Sequence, residues 1–125
     1  MNLVDSSGWI AFFTDGPPAG RFEPYLRKPS GVVTPSIVLY EVYKIIKRER
    51  TEEDALRAVG QMLKTRIVPL TDTLALEAAD VSLEHGLPMA DSIVYATALA
   101  NGAELVTSDA DFAKLPGVTF IRRET

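Results

Sequence analysis

The chain has no cysteine and only one histidine, His85. Disulfides, thiolate metal sites and a cysteine nucleophile are therefore excluded, and a zinc site lacks its usual donors. A Ser-His-Asp triad survives by count, but no GxSxG turn accompanies the histidine. No stretch approaches the ~20 apolar residues that cross a bilayer. The opening residues, MNLVDSSGW, have neither the basic flank nor the apolar core of a secretion signal. Together these features predict a cytoplasmic protein with no membrane partner. Basic excess is missing as well: the formal net charge is −4. Any grip on nucleic acid must then be a local patch.

What remains is the make-up of a folded chain. With 46% hydrophobic and 24% charged residues, disorder is not expected. A length of 125 residues suits a single domain, 1–125. Such a domain buries roughly two-thirds of its surface without staples. No internal repeat, linker or low-complexity segment interrupts it.

Strands and helices alternate. A short apolar strand, Asn2–Val4, ends on Asp5, and Ser6 and Ser7 suit the cap of a helix over Gly8–Phe13. Asp15-Gly16-Pro17-Pro18 breaks that helix. A weaker helix follows over Ala19–Arg27, then a turn at Pro29–Gly31 and a strand at Val32–Thr34. Pro35 opens the longest helix, to about Arg50. Its first half is apolar nearly all round, which predicts burial on more than one side. Thr51 caps the next helix, which carries Leu56, Val59, Met62 and Leu63. A third strand spans Arg66–Leu70, with Pro69 marking a sheet edge or strand end. Asp72–His85 reads as an amphipathic helix through Leu74, Leu76, Ala79 and Leu83, stopped by Gly86, with His85 suiting the helix dipole. Pro88–Asn101 is the last long helix. Glu104–Thr107 and Val118–Ile121 are the last strands, joined through one helical turn within Asp109–Lys114. Arg122 begins a polar tail. This order predicts an α/β fold: a three-layer α/β/α sandwich around a central, mainly parallel sheet.

Several acids stand in apolar settings. Asp5 and Asp109 lie just past strands, where open parallel sheets collect their sites. Glu41 has Ile37, Val38, Lys44 and Ile45 as helical neighbours. A carboxylate on that stripe needs a partner, either Lys44 at the rim of the core or something chemical. Asp5 is equally suited to capping, Asp91 to the positive end of its helix, and Asp109 and Asp111 to a turn. Topology alone does not bring Asp91 to the others. If the acids do meet, two carboxylates about 4 Å apart repel by about 4 kcal/mol at an effective dielectric near 20. Such a pocket needs protons or cations. All-oxygen donors select hard ions, Mg2+ or Mn2+, which serve phosphodiester hydrolysis.

Among the basic residues, Lys44, Lys47, Arg48 and Arg50 continue the helix that bears Glu41. They are candidates for RNA phosphates or simply a solvated face. Arg21, Arg27 and Lys28 are comparable. Trp9, Phe12 and Phe13 suit the core better than a base-stacking platform.

Four motifs carry a likeness: Asp5 in LVDSS, Glu41 in VLYEVYK, Asp91 in LPMADSIVYATA and Asp109 in LVTSDADF. In this spacing the sequence resembles PIN-domain ribonucleases, in particular the VapC-type toxins of toxin–antitoxin pairs. The likeness spans essentially the whole chain and is most specific in its last two motifs. It implies a compact α/β/α domain and Mg2+- or Mn2+-dependent endonuclease activity on RNA. It also implies an acidic pocket that includes Asp91. Asp5, Glu41, Asp91 and Asp109 match the four acids, with Asp5 and Asp91 as direct metal ligands. Ser6 or Thr107 would assist, and Asp111 could stand in for Asp109. A cognate antitoxin and a homodimer are the implied protein partners, and the apolar run Ile37–Ile46 suits such a contact as well as it suits a core.

Two other functions fit the same alternation of elements. One is a PIN-like module that binds RNA or protein without cleaving. The other is a receiver or phosphohydrolase domain; an aspartyl nucleophile there would usually be followed two residues on by a second Asp, where this chain has Ser7.

Overall fold

In the computed structural model, which describes residues 1–123, five strands form one wholly parallel sheet. The strands are β1 (Asn2–Val4), β2 (Val32–Pro35), β3 (Arg66–Val68), β4 (Glu104–Thr107) and β5 (Val118–Phe120). Their order is β3-β2-β1-β4-β5. Glu124 and Thr125, the end of the polar tail, lie outside the described residues. The helices are α1 (Ser6–Phe13), α2 (Ala19–Leu26), α3 (Ser36–Glu49), α4 (Glu52–Met62), α5 (Asp72–His85) and α6 (Met89–Ala100). They flank the sheet, giving the three-layer α/β/α sandwich.

The central strands are continuous apolar runs because helices cover both faces. Leu3, Val4, Val32, Val33, Leu105 and Val106 are all fully buried. β3 lies at the sheet edge, so Pro69 sits just past a strand with no ladder bond to break. Buried hydroxyls are satisfied: Thr34 and Thr65 pair at 2.7 Å, and Thr97 donates to the Ile93 carbonyl at 2.7 Å. Gly86 closes α5 in the left-handed region at φ 69°, where its missing Cβ removes the penalty. Gly8 is required for a different reason. A Cβ there would stand 2.5 Å from side-chain carbons of Val4 and Phe22, so α1 can pack this close only as glycine.

The buried faces of three helices differ from those the sequence suggests. On α3 only Val38, Val42 and Ile46 are deeply buried, while Tyr40 is 60% exposed. α1 and α4 cover its flanks and leave one side open to solvent. On α4 the buried stripe is Ala55, Ala58 and Met62, and Leu56 and Leu63 point outward. On α5 it is Leu74, Ala78 and Val81, with Leu76 and Leu83 exposed. Reading the largest apolar residues as the inner face holds for Met62 and Leu74 and fails for the four exposed leucines. α4 lies against α3, and α5 against α6, through alanines that permit close approach.

The chain runs outward from β1 through β2 to β3, then crosses back to place β4 on the other side of β1. The connections leaving β1 and β4 therefore diverge, and a crevice opens beyond their carboxyl ends. α6 ends just before β4 begins, at the amino ends of the strands and so opposite the crevice. Its 12 residues span about 18 Å at 1.5 Å per residue, enough to return its first turn to the crevice.

Candidate acidic active site

Asp5 forms the floor of the crevice, and the local sequence fixes it from three sides. It leaves β1 in an extended conformation and is itself the N-cap of α1, in place of Ser6 or Ser7. Its Oδ1 accepts from the Gly8 N–H at 3.4 Å and from the Ser7 hydroxyl at 2.6 Å. Its Oδ2 accepts from the Thr107 hydroxyl at 2.7 Å, across the β1–β4 boundary. The network extends into the next loop, where Thr107 Oγ1 accepts from the Asp109 N–H and Ser7 Oγ from the Ser108 N–H. Asp5 is only 4% exposed. Burial raises its pKa from 3.8 to about 6; these hydrogen bonds oppose the rise and the Asp109 charge adds to it.

Asp91, in the first turn of α6, rises from 3.8 to about 7. Burial is the largest cause, followed by the charges of Asp109 and Asp111, competition with Asp111 for a shared proton, and the Asp5 charge. The pKa of Glu41 on α3 is also raised, first by burial and then by Asp109, against the lowering effect of the Ser6 hydroxyl. Lys44 turns to Tyr40, 3.3 Å from its hydroxyl, and not to Glu41.

Asp5, Glu41, Asp91 and Asp109 line one cavity of about 430 Å³, together with Ser6, Ser7, Ser108, Ile10, Phe112 and Arg123 among others. Asp111 is exposed on the rim, and its N–H donates to Asp109 Oδ1 at 2.9 Å. Carboxylate oxygens of Asp91, Asp109 and Asp111 all lie within 4.8 Å of one another. Asp5 is not part of that tight group. Thr107 lies buried behind Asp5 and orients it. Lys47 and Arg48 are engaged with Glu52 at 3.1 Å and Glu49 at 2.8 Å, whereas Lys44 meets no carboxylate among the described residues.

Sequence reasoning missed Ser7, Ser108 and Arg123 as parts of the site. Ser7 looked like a helix cap, and only the β1–β4 pairing shows that its hydroxyl belongs to Asp5. The donor set suits a hard divalent cation: several carboxylates share a pocket, and burial, joined by their mutual repulsion, pushes the Asp91 pKa up to about 7. A cation would relieve that repulsion directly.

The PIN domain family profile matches residues 3–118. Among solved structures, a chain of a toxin–antitoxin complex from Klebsiella pneumoniae superposes with TM-score 0.81 at 25% identity, covering 95% of this chain and 96% of that one. The sarcin–ricin loop cleaving toxin VapC20 of Mycobacterium tuberculosis gives 0.80 at 22% identity, covering 98% and 99%. A chain of DNA-bound VapBC from Salmonella typhimurium gives 0.73 at 18%, covering 99% and 100%. No curated protein matches the sequence.

Proposed function

This chain belongs to the PIN-domain family, and we propose that it is a Mg2+- or Mn2+-dependent endoribonuclease, the toxin of a toxin–antitoxin pair. The observation that carries the proposal is the convergence of four acids from four distant segments on one cavity. The likeness to a toxin–antitoxin chain over almost its whole length supports the biological setting. In this reading residues 1–125 form a single PIN domain that acts on RNA in the cytoplasm. A cognate antitoxin covers the cavity, and the exposed Leu76 and Leu83, two turns apart on α5, offer an apolar stripe for a homodimer. No helix among the described residues is long and apolar enough to cross a membrane.

Asp5 and Asp91 would hold the cation directly, with Glu41 and Asp109 completing the donor set and Asp111 approaching from the rim. When bound, the cation supplies Lewis acidity, polarising a phosphoryl oxygen and making water a stronger acid. The protein's own groups do the rest. Ser7 and Thr107 fix the orientation of Asp5, so its oxygens are aimed before substrate arrives. Glu41, on the wall of the same cavity, would take a proton from the attacking water. Lys44, one turn beyond Glu41, can meet an approaching phosphate.

The test is cleavage of an RNA panel by purified protein. Activity should require Mg2+ or Mn2+ and stop with chelator. Asp5→Asn and Asp91→Asn should each lower the rate at least about a hundredfold while the fold persists. Full activity in both variants would overturn the assignment. Binding of RNA with no cleavage at any metal concentration would identify a catalytically silent module.

A further inference from the structure

The cavity assigned to RNA cleavage is lined by acids, yet its substrate is a polyanion. Among the described residues that line it, only Arg123 is cationic. Arg123 forms no ion pair or hydrogen bond with the described residues, although the segment that carries it is firmly held. The Ile121 N–H donates to the Thr107 carbonyl at 2.8 Å. The Ser108 hydroxyl, itself buried, donates to the Ile121 carbonyl at 2.6 Å. Arg21 of α2 donates to the Arg122 carbonyl at 3.4 Å. Thus the backbone on either side of the tail's start is fixed to β4 and α2, and an uncommitted guanidinium is left at the mouth of the cavity.

A second hollow adjoins this one and shares Ser108 and Arg123 with it. Phe120 and Arg122 line its far side. Phe120 lies on the edge strand β5 and is only half-buried. A cationic group between an acidic cleft and a partly open aromatic ring matches the two demands of a single strand, a phosphate and a base face.

Building on the nuclease reading above, we propose that the start of the C-terminal tail is a nucleotide subsite beside the cleavage cavity. Arg123 takes a phosphate next to the scissile bond, and Phe120 stacks against the adjoining base. The strand thereby enters a negatively charged pocket held by a cation on its flank.

The probe is a short fluorescein-labelled single-stranded RNA of mixed sequence, bound to the Asp91→Asn protein in Mg2+. Adding Arg123→Ala should weaken binding about tenfold and reduce the slope of log affinity against log salt by about 0.7, the loss of one phosphate contact on a single strand. Arg123→Lys should keep the slope. Phe120→Leu should weaken binding about fivefold and leave the slope unchanged. In the otherwise wild-type protein, Arg123→Ala should raise KM with kcat held within about twofold. Unchanged affinity and slope in Arg123→Ala would overturn the subsite, and since the Arg123 side chain makes no bond with the described residues, an unchanged Tm in the variant separates lost binding from misfolding. Unchanged affinity in Phe120→Leu would overturn its stacking half. If the wild-type protein cleaves nothing but Arg123→Ala still loses RNA binding, the nuclease reading falls and the subsite stands. If the wild-type protein cleaves and Arg123→Ala matches it, the reverse holds.

Discussion

Replacing Asp91 by Asn should make the metal-free protein more stable at high pH while destroying its proposed activity. The folded protein raises the Asp91 pKa from 3.8 to about 7. Below the lower value both folded and unfolded chains carry the proton. Between the two values the folded chain binds a proton that the unfolded chain has released, so stability falls as pH rises through this window. Above about 7 the cost of the crowded charge is complete. At about 1.4 kcal/mol for each tenfold change in proton affinity, the ceiling is about 4 kcal/mol. Asp91 is only half-buried, so solvent screening reduces this to about 1–2 kcal/mol. Against it stands the lost attraction between the charge and the start of α6, worth about 0.5 kcal/mol. A net gain of about 1 kcal/mol survives, or about 3–6 °C in Tm for a chain of this size. Thermal unfolding in chelator should show that gain near pH 8 and almost none near pH 4. A lower Tm at pH 8, or the same gain at both, would refute the picture of a carboxylate half-buried among other acids in the cleft.

The same proton should compete with the ion. The Mg2+ concentration that half-saturates the thermal shift should rise about tenfold between pH 7 and 6, and more steeply below 6 where Asp5 is protonated too; a flat profile would remove Asp91 from the ligand set. Behind Asp5, Gly8→Ala should cost about 1–3 kcal/mol in urea unfolding, because the new Cβ meets Val4 and Phe22 with no room to spare. An unchanged midpoint would mean that α1 can lift from β1 freely.

Much of the fold was legible because strand and helix signals were separated by strong punctuation. Thr51 caps α4 by accepting from the Asp54 N–H, and Gly86 ends α5, both as the sequence suggests. The inner faces of α4 and α5 were legible only at Met62 and Leu74. Periodicity weights bulk, whereas these helices bury alanines where they approach a neighbour and leave leucines outside. At the site, Asp5 and Asp109 could be placed from strand ends alone. Asp91 could not, since its arrival depends on the length of α6 relative to the sheet. Capping and chemistry looked like rival roles for Asp5, but one side chain meets both demands: Oδ1 takes the helix N–H and Oδ2 the Thr107 hydroxyl. Arg123 left no signal beyond its charge, because the bonds that bring it to the cavity are made by backbone atoms of its neighbours.

The hydrogen bond from Thr107 to Asp5 joins residues 102 positions apart. A growing polypeptide therefore carries its first acid almost from the start of synthesis but lacks the other half of the cleft until its last quarter has emerged. A chain that stops short of Thr107 lacks the residues that close the cleft, so the pocket is either assembled whole or not at all.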